Sequence, residues 1–192
     1  MPEATDGATD ALVATFARAM AVLGPFEPRP HLAVAVSGGA DSLALCLLAQ
    51  GWANAAGGRI TALTIDHRLR PESSEEVAQV GRWLAGQGID HQVLTWDGAK
   101  SRSGLQAAAR AARYRLLCDF CRQAGLLHLL LAHHRRDQAE TLLLRTLAGS
   151  GAYGLAAMQS VVWTPHCRML RPLLNLDPDA LRLAGADEMG EQ

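Results

Sequence analysis

The sequence predicts an α/β fold in which helices cover both faces of a doubly wound parallel sheet. Short apolar runs rich in β-branched residues alternate along the chain with longer segments that have helical spacing. These runs lack the strict in/out alternation of half-exposed strands, which is typical of parallel strands buried on both faces. The 192 residues, 49% of them hydrophobic and 19% charged, are enough for one well-packed domain.

The predicted elements follow in chain order. Apolar spacing predicts a first helix over residues 8–23, which Gly24-Pro25 ends, after a disordered tail at residues 1–7. The later elements are strand 31–36, helix 43–53, strand 59–66, helix 73–85, strand 91–96, helix 105–123, strand 126–131, helix 136–147 and short strands within 161–170. On helix 105–123 the predicted core-facing stripe is Leu105, Ala109, Ala112, Leu116 and Phe120.

The charge balance excludes a uniformly basic nucleic-acid-binding protein, because the formal net charge is −1. The cations are almost all arginine, with Lys100 as the single lysine. Arginine binds phosphate through two parallel hydrogen bonds, so a local arginine face could bind RNA. An alanine- and arginine-rich genome explains the same composition, and the sequence leaves both interpretations open.

Targeting and membrane signals are missing from the sequence. No stretch reaches the roughly 18 apolar residues of a membrane span, and residues 1–10 lack a basic region followed by an apolar core. Four cysteines are too few for a dense disulfide framework and fit a reducing compartment. We therefore expect a cytoplasmic protein with no membrane partner.

The strongest functional signal is the glycine turn Ser37-Gly38-Gly39-Ala40-Asp41-Ser42, which joins an apolar strand to a helix. Paired glycines allow positive φ and leave N–H groups free to converge on an anion, and a helix N-terminus favours phosphate. The turn lacks the lysine of a Walker A loop, so a metal ion held by Asp41, or arginines, must neutralise the phosphate charge. The alternative is a plain tight turn with no ligand.

These six residues match the phosphate loop of the PP-loop, or N-type, ATP pyrophosphatases. Further segments resemble the tRNA(Ile)-lysidine synthase family in particular, in order and in spacing. They are residues 65–73, 105–114, 132–141 and 149–155. The resemblance covers about residues 31–174.

The resemblance implies an adenine nucleotide alpha hydrolase-like fold that uses ATP and Mg²⁺. In that family ATP adenylates O2 of the wobble cytidine of a tRNA(Ile) with a CAU anticodon, and L-lysine then displaces AMP from C2 to form lysidine. We expect tRNA(Ile) and L-lysine as partners, with a homodimer left open. Residues 1–30 would form an N-terminal tail and helix, 31–175 the catalytic domain and 176–192 a polar tail, with the family's C-terminal tRNA-binding domains absent.

The resemblance also assigns site residues. The expected ATP-binding residues are Ser37, Gly38, Gly39, Ala40, Asp41, Ser42, Asp66, His67, Arg110 and His133. The expected catalytic residues are Asp41, Arg113 and Asp137. The expected Mg²⁺ ligands are Asp41, Asp137 and Glu140.

Several of these residues have structural alternatives. Asp66 could bind ribose, adenine or a metal ion, or it could brace its own loop. Arg110 and Arg113 share a helix face, which could neutralise triphosphate, hold the tRNA backbone or simply be solvated. His133 could orient the nucleotide, act as an acid or base, or be a satisfied loop histidine. Arg136 replaces the first of two adjacent acids in many relatives, so a paired-acid mechanism is not carried over.

Two other functions stay open at this point. A 2-thiocytidine-type tRNA sulfurtransferase of the same superfamily would give Cys118 and Cys121 a role in sulfur or metal chemistry. We interpret these two residues instead as buried thiols inside the long helix, because a metal needs about four ligands. A truncated, non-catalytic ATP-binding module is the other alternative.

Overall fold

The computed structural model describes residues 3–68, 73–98, 104–134 and 158–176. Within these ranges the chain forms a six-stranded sheet flanked by helices. The predicted helix 136–147, the glycine-rich segment 149–155 and the expected site residues Asp137 and Glu140 lie outside the described residues.

The order of the described elements is the predicted one, and strands and helices alternate from β1 to β4. The elements are α1 Glu3–Leu23, β1 His31–Ala35, α2 Ala40–Ala55, β2 Arg59–Asp66, α3 Ser73–Gly86, β3 Asp90–Thr95, α4 Leu105–Ala124, β4 His128–Leu130, β5 Val161–Trp163 and β6 Arg168–Leu170. Helix α1 begins inside the stretch predicted to be disordered. No proline lies between residues 3 and 23 to end the helix.

The sheet has the order β3-β2-β1-β4-β6-β5. Strand β1 pairs in parallel with β2 and with β4, and β6 continues the parallel set next to β4. The prediction of a parallel sheet is therefore confirmed, with one correction at the edge, where β5 runs antiparallel to β6. Only residues 164–167 join these two strands, which is enough for a hairpin but far too short for a parallel crossover.

Helices cover both faces of the sheet, as predicted. Alternate residues of β1 point to opposite faces, so Leu32 and Val34 join one core and Ala33 and Ala35 join the other. The first core packs under α1, α2 and α3, and the second packs under α4. Packing on both faces of the sheet holds β1 in place, and this positions the loop that follows it.

The core-facing stripe predicted for α4 is confirmed at Ala112, which is buried, and is wrong in its register further along the helix. Leu117 and Cys121 have no solvent exposure, whereas Leu116 and Phe120 are only half-buried. Arg113 lies four residues before Leu117, so it lies on the same side of the helix. This register places Arg113 at the small pocket, beside the carboxyl end of β1.

A histidine–carboxylate pair ties the start of β4 to the loop before β1. His128 Nε2 lies 2.8 Å from Glu27 Oε2, and the Phe26 ring packs edge-on against the imidazole at 4.8 Å. Burial lowers the pKa of His128 more than the Glu27 carboxylate raises it. The imidazole is therefore neutral at pH 7 and donates a hydrogen bond to the carboxylate.

Acidification is expected to destabilise the fold below about pH 6.5. The pKa of His128 is depressed in the folded state, so its contribution is fully present above the ordinary value of 6.5 and is lost as the pH falls through the folded value. Burial lowers the pKa values of His31 and His91 as well, which adds to the same slope. Urea unfolding at a series of pH values measures the effect.

His128→Gln keeps an N–H donor without a titrating ring, so we expect it to flatten the decline in unfolding free energy. The matched control is His166→Gln, since His166 is exposed in the β5–β6 turn. An unfolding free energy that rises as the pH is lowered below 6.5 would contradict the assignment.

Candidate functional site

The loops that follow β1, β2 and β4 meet at one edge of the sheet. All three strands are parallel, so their carboxyl ends lie side by side. The loop after β1 is the predicted glycine turn, and Val36 enters it with its N–H bonded to the carbonyl of Leu63 at 2.9 Å. The sequence therefore places its strongest motif where parallel α/β sheets bind ligands.

The turn is held in shape by the side chain of its last residue. The Ser42 hydroxyl accepts a hydrogen bond from the Ser37 N–H at 3.1 Å and donates one to the Gly39 carbonyl at 2.8 Å. Ser42 is itself buried in the first turn of α2. Gly38 has a φ of +86°, a left-handed conformation that L side chains rarely adopt.

Successive backbone N–H groups of the turn are available for a ligand. Within the part of the chain that the structure describes, those of Gly38, Gly39 and Ala40 make no hydrogen bond. Gly39 is the N-cap of α2 and provides no capping side chain. Free N–H groups at an uncapped helix N-terminus form an anion site.

Gly38→Ala is expected to weaken binding of a polyphosphate at this turn. The positive φ alone costs about 1–2 kcal/mol for an L residue, and the added Cβ would lie 3.0 Å from Val80 Cγ2 on α3. The turn must change its backbone conformation to relieve the strain and the close contact. Its N–H groups would then no longer point toward one anion position. Isothermal titration with an ATP analogue measures the loss.

Gly88→Ala is the matched control for the backbone strain. Gly88 also has a positive φ, of +66°, but an added Cβ meets nothing within 4 Å. We expect it to lower the melting temperature while leaving nucleotide affinity unchanged. Equal affinity losses in both variants would show that strain in the fold, and not the shape of this turn, determines binding.

A small pocket of about 240 Å³ lies beside the turn and contains an aspartate–histidine pair. Asp41 Oδ2 lies 3.2 Å from His134 Nε2, and the His134 side chain is only 8% exposed. The other carboxylate oxygen, Asp41 Oδ1, is buried and has no hydrogen-bond partner among the described residues. Asp41 lines the pocket, and carboxylate oxygens are ligands that a hard cation such as Mg²⁺ prefers.

Arg113 reaches this pocket from α4 and also lines a second, larger cleft. It forms no ion pair with any of the described residues. Burial lowers the pKa of its guanidinium, and Arg110 lowers it further, although arginine stays charged in proteins. A half-buried cation that has no carboxylate partner among the described residues is suited to an anionic ligand.

The larger cleft has a volume of about 730 Å³, which is the size of a small-molecule site. Its walls are the carboxyl ends of β1 and β2 and one side of α3, and they include Leu63, Ile65 and His67. His67 is held edge-on to Trp96 at 5.9 Å. Ser37 and Arg113 line both the cleft and the small pocket, so the two form one continuous site.

Asp66 lines neither of the two pockets and instead braces the loop after β2. Its Oδ1 accepts hydrogen bonds from the Arg68 N–H at 2.9 Å and the Ser73 hydroxyl at 3.0 Å, and Oδ2 faces the Ser74 hydroxyl at 3.4 Å. Burial would raise the pKa of Asp66, but these hydrogen bonds outweigh it and hold the pKa below its usual value. These contacts agree with the alternative in which Asp66 braces its own loop.

The two arginines predicted to act together are separated in the structure. Arg110 is exposed, and its guanidinium lies over the Tyr114 ring at 5.4 Å. Arg110 lines neither pocket, whereas Arg113 lines both. Three residues along a helix turn the chain by about 300°, and the rotation of α4 brings only one of the pair inwards.

Two site residues have no role assigned from the sequence. His134 lies in the segment after β4 that is expected at the site, but the sequence assigns a role only to its neighbour His133, whereas it is His134 that contacts Asp41. Arg171 is buried at the end of β6 and donates from Nε to His133 Nδ1 at 3.2 Å and from Nη1 to the Gln159 carbonyl at 2.7 Å. The available signal was the adjacent histidine pair itself, since both residues follow a buried strand.

The predicted Mg²⁺ ligands cannot all be placed, because Asp137 and Glu140 lie outside the described residues. Among the residues that are described, no group of three histidine, cysteine, aspartate or glutamate side chains is arranged to hold a metal ion. Asp41 is thus the one predicted ligand that the structure locates, at the mouth of the small pocket.

The family follows from a comparison of the chain with known families. A model described as a PP-loop domain matches residues 12–183. The chain belongs to the PP-loop family. The turn at 37–42 is the PP-loop, and the free N–H groups described above are those of this loop.

Curated relatives of this PP-loop chain are tRNA(Ile)-lysidine synthases. The one from Bradyrhizobium sp. (strain BTAi1) is 47% identical over 174 residues, which are 90% of this chain and 49% of that protein. The one from Orientia tsutsugamushi is 40% identical over 167 residues, which are 87% of this chain and 38% of that protein. The chain therefore spans about half the length, or less, of these relatives.

Solved structures support the PP-loop fold alone, because their sequences are distant. A U34-tRNA thiolase from Methanococcus maripaludis with its [4Fe-4S] cluster superposes with a TM-score of 0.75 at 15% identity, over 89% of this chain and 62% of that one. An NMN synthetase from Francisella tularensis gives a TM-score of 0.53 at 14% identity, over 94% of this chain and 69% of that one. No described helix has the length and apolar character that a membrane span requires.

Proposed function

We propose that this PP-loop domain uses ATP to adenylate the wobble cytidine of tRNA(Ile), and that lysine then replaces AMP to give lysidine. The observation that supports the proposal is one continuous site. It is formed by free loop N–H groups, a half-buried guanidinium with no ion pair among the described residues, and a nucleoside-sized cleft. Similarity to curated lysidine synthases selects the reaction among those that PP-loop proteins perform.

The nucleotide fits with its nucleoside in the larger cleft and its phosphates at the PP-loop. The cleft walls are apolar at Leu63 and Ile65, which suits a base, and His67 lies at their end. The loop N–H groups face the phosphates with the N-terminus of α2 behind them. Arg113 lines both volumes, so its charge lies where the nucleoside and polyphosphate sites meet.

Adenylation needs charge stabilisation more than covalent help from the protein. Cytidine O2 attacks the α-phosphorus while the bond to pyrophosphate breaks, and negative charge accumulates on the leaving oxygens. Arg113 and the loop N–H groups neutralise that charge. Mg²⁺, held by Asp41 together with Asp137 and Glu140 as the sequence predicts, would supply the remaining positive charge.

The aspartate–histidine pair positions the metal-binding carboxylate. The contact between His134 Nε2 and Asp41 Oδ2 fixes the orientation of the carboxylate, which lines the small pocket. Arg171 does the same for His133, which lines the pocket beside it. In the second step the lysine amine forms a bond to C2 as the C2–O2 bond breaks and AMP leaves.

Mass analysis of the wobble cytidine tests the proposal. The chain is incubated with ATP, Mg²⁺, lysine and isoleucine tRNA, and the nucleoside digest is searched for lysidine. Omission of lysine is the matched control, and it should leave pyrophosphate release without lysidine. Because the chain spans about half of its relatives, the same assay is run with the full-length Bradyrhizobium relative.

Three outcomes distinguish the alternatives. Lysidine formation, or tRNA-dependent pyrophosphate release alone, supports the proposed chemistry. Incorporation of sulfur from a sulfide donor would support a sulfurtransferase instead. ATP binding with no pyrophosphate release, in conditions where the full-length relative is active, would indicate a non-catalytic module.

A further inference from the structure

Three of the four cysteines meet at one point of the fold. Cys118 and Cys121 lie one turn apart on α4, and Cys167 lies in the turn between β5 and β6. The Sγ atoms of Cys118 and Cys167 are 3.9 Å apart, although the residues are separated by 49 positions in the chain. All are free thiols, as is Cys46, which is buried in α2.

The three thiols, Cys118, Cys121 and Cys167, lie at the opposite edge of the sheet from the PP-loop. Cys167 immediately precedes β6, which is parallel to β4 and through β4 to β1. The start of β6 is therefore on the side where β1 begins, whereas the PP-loop follows its end. A role for Cys118 and Cys121 in sulfur transfer to a nucleotide at the PP-loop is inconsistent with this placement.

Hydrogen bonds favour the thiolate form of Cys167, which is buried immediately before β6. The hydrogen bond with Cys121 outweighs burial and, together with those to Thr164 and Cys118 and the charge of His166, lowers the pKa of Cys167. The Thr164 hydroxyl lies 3.7 Å from its sulfur. Burial raises the pKa of Cys118, whose side chain is partly exposed to solvent. Cys167 is therefore the more acidic of these two thiols.

Metal binding does not account for the cluster, because no three ligating side chains of the described residues are arranged around a metal position. A thiolate in contact with a second thiol is instead the arrangement of a redox-sensitive pair. Cys118 belongs to α4 and Cys167 to the β5–β6 turn, so a disulfide between them would be a covalent cross-link between two separate elements.

We propose that Cys118 and Cys167 form a hydroperoxide-sensitive dithiol that closes to a disulfide between α4 and the β5–β6 turn. The Cys167 thiolate attacks one peroxide oxygen, so an S–O bond forms, the O–O bond breaks, and hydroxide leaves and takes up a proton. The Cys118 sulfur then attacks the sulfenic acid, losing its proton as the S–S bond forms and water leaves. One peroxide is reduced to two waters, and two thiols are oxidised.

The bond would tie together two elements that also carry site residues. Helix α4 bears Arg113 in its N-terminal half, and β6 leads directly into Arg171. The inference stands on the thiol geometry and is independent of the proposed function, so its test uses no activity assay.

The test is oxidation of the folded chain with a small excess of hydrogen peroxide, followed by thiol counting and peptide mapping. We expect two of the four thiols to be lost, a mass decrease of about 2 Da, and a cross-linked peptide that contains Cys118 and Cys167. Dithiothreitol should restore all four thiols. The urea midpoint of the oxidised form should rise, because the bond restricts the unfolded chain.

Cys46→Ser is the matched control, since burial raises the pKa of that thiol to about 12 and it lies outside the cluster. It should form the same cross-link at the same rate, whereas Cys167→Ser should form none. A bond from Cys167 to Cys121 would overturn the assignment of Cys118. Loss of Cys46 at the same rate as Cys167 would overturn the proposal, because it would show that oxidation follows unfolding. If a variant fails to fold, the peptide map of the oxidised parent chain still shows which two cysteines are linked.

Discussion

Asp41→Asn is expected to lower Mg²⁺-dependent pyrophosphate release by about 100-fold or more. The substitution keeps the shape of the side chain and a hydrogen-bonding group toward His134, but it removes the negative charge that faces the pocket. A neutral amide oxygen binds Mg²⁺ far more weakly than a carboxylate does. The phosphates would then enter the small pocket without their metal ion.

Raising the Mg²⁺ concentration should recover part of the activity of Asp41→Asn, because the defect is in metal binding. The same loss is expected for Asp137→Ala on the basis of the sequence. The control is Asp10→Asn, on the exposed side of α1, which should match the parent chain. Normal turnover by Asp41→Asn, measured by coupled pyrophosphate detection, would remove Asp41 from the mechanism.

Arg113→Ala is expected to have an effect of similar size, a loss of about 100-fold or more in the adenylation rate. Arg113 is half-buried, lines both parts of the site and has no ion pair among the described residues. Its removal takes away a positive charge beside the negative charge that develops on the leaving pyrophosphate. Since the interaction strengthens as charge develops, the turnover number should fall more than the affinity for ATP.

Two further variants on the same helix separate this role from general effects. Arg115→Ala removes an exposed arginine outside both pockets and should leave the rate unchanged. Arg110→Ala distinguishes the sequence-based prediction, which gave Arg110 a role in ATP binding, from the observed position over Tyr114. A rate loss in Arg110→Ala as large as that in Arg113→Ala would favour the sequence-based prediction. Single-turnover measurements at saturating ATP give the comparison.

The sequence was sufficient to predict the fold and the PP-loop, because the signals for both are local. A run of apolar residues, two glycines and an acid at the start of a helix are read within ten positions of Ser37. The antiparallel edge strand β5 is different, since its direction depends on the short turn that returns the chain to β6. Hairpin turns of that kind leave a weak signal between two short strands.

The rest of the site depends on rotations and contacts that a sequence does not contain. Arg110 and Arg113 have the same chemistry, and only the packing of Leu117 under the sheet decides which of them turns inwards. His133 and His134 are neighbours on one loop, and the side that each faces is set by Arg171 and Asp41. Long-range partners such as these can be identified only once the strands have been ordered.

The hydroxyl of Ser42 has a consequence for how a ligand arrives. Because it bonds to the backbone at both Ser37 and Gly39, the chain's own hydrogen bonds hold the curved shape of the PP-loop. Association should then be a single diffusive step with no slow ordering phase, and little conformational entropy should be lost on binding.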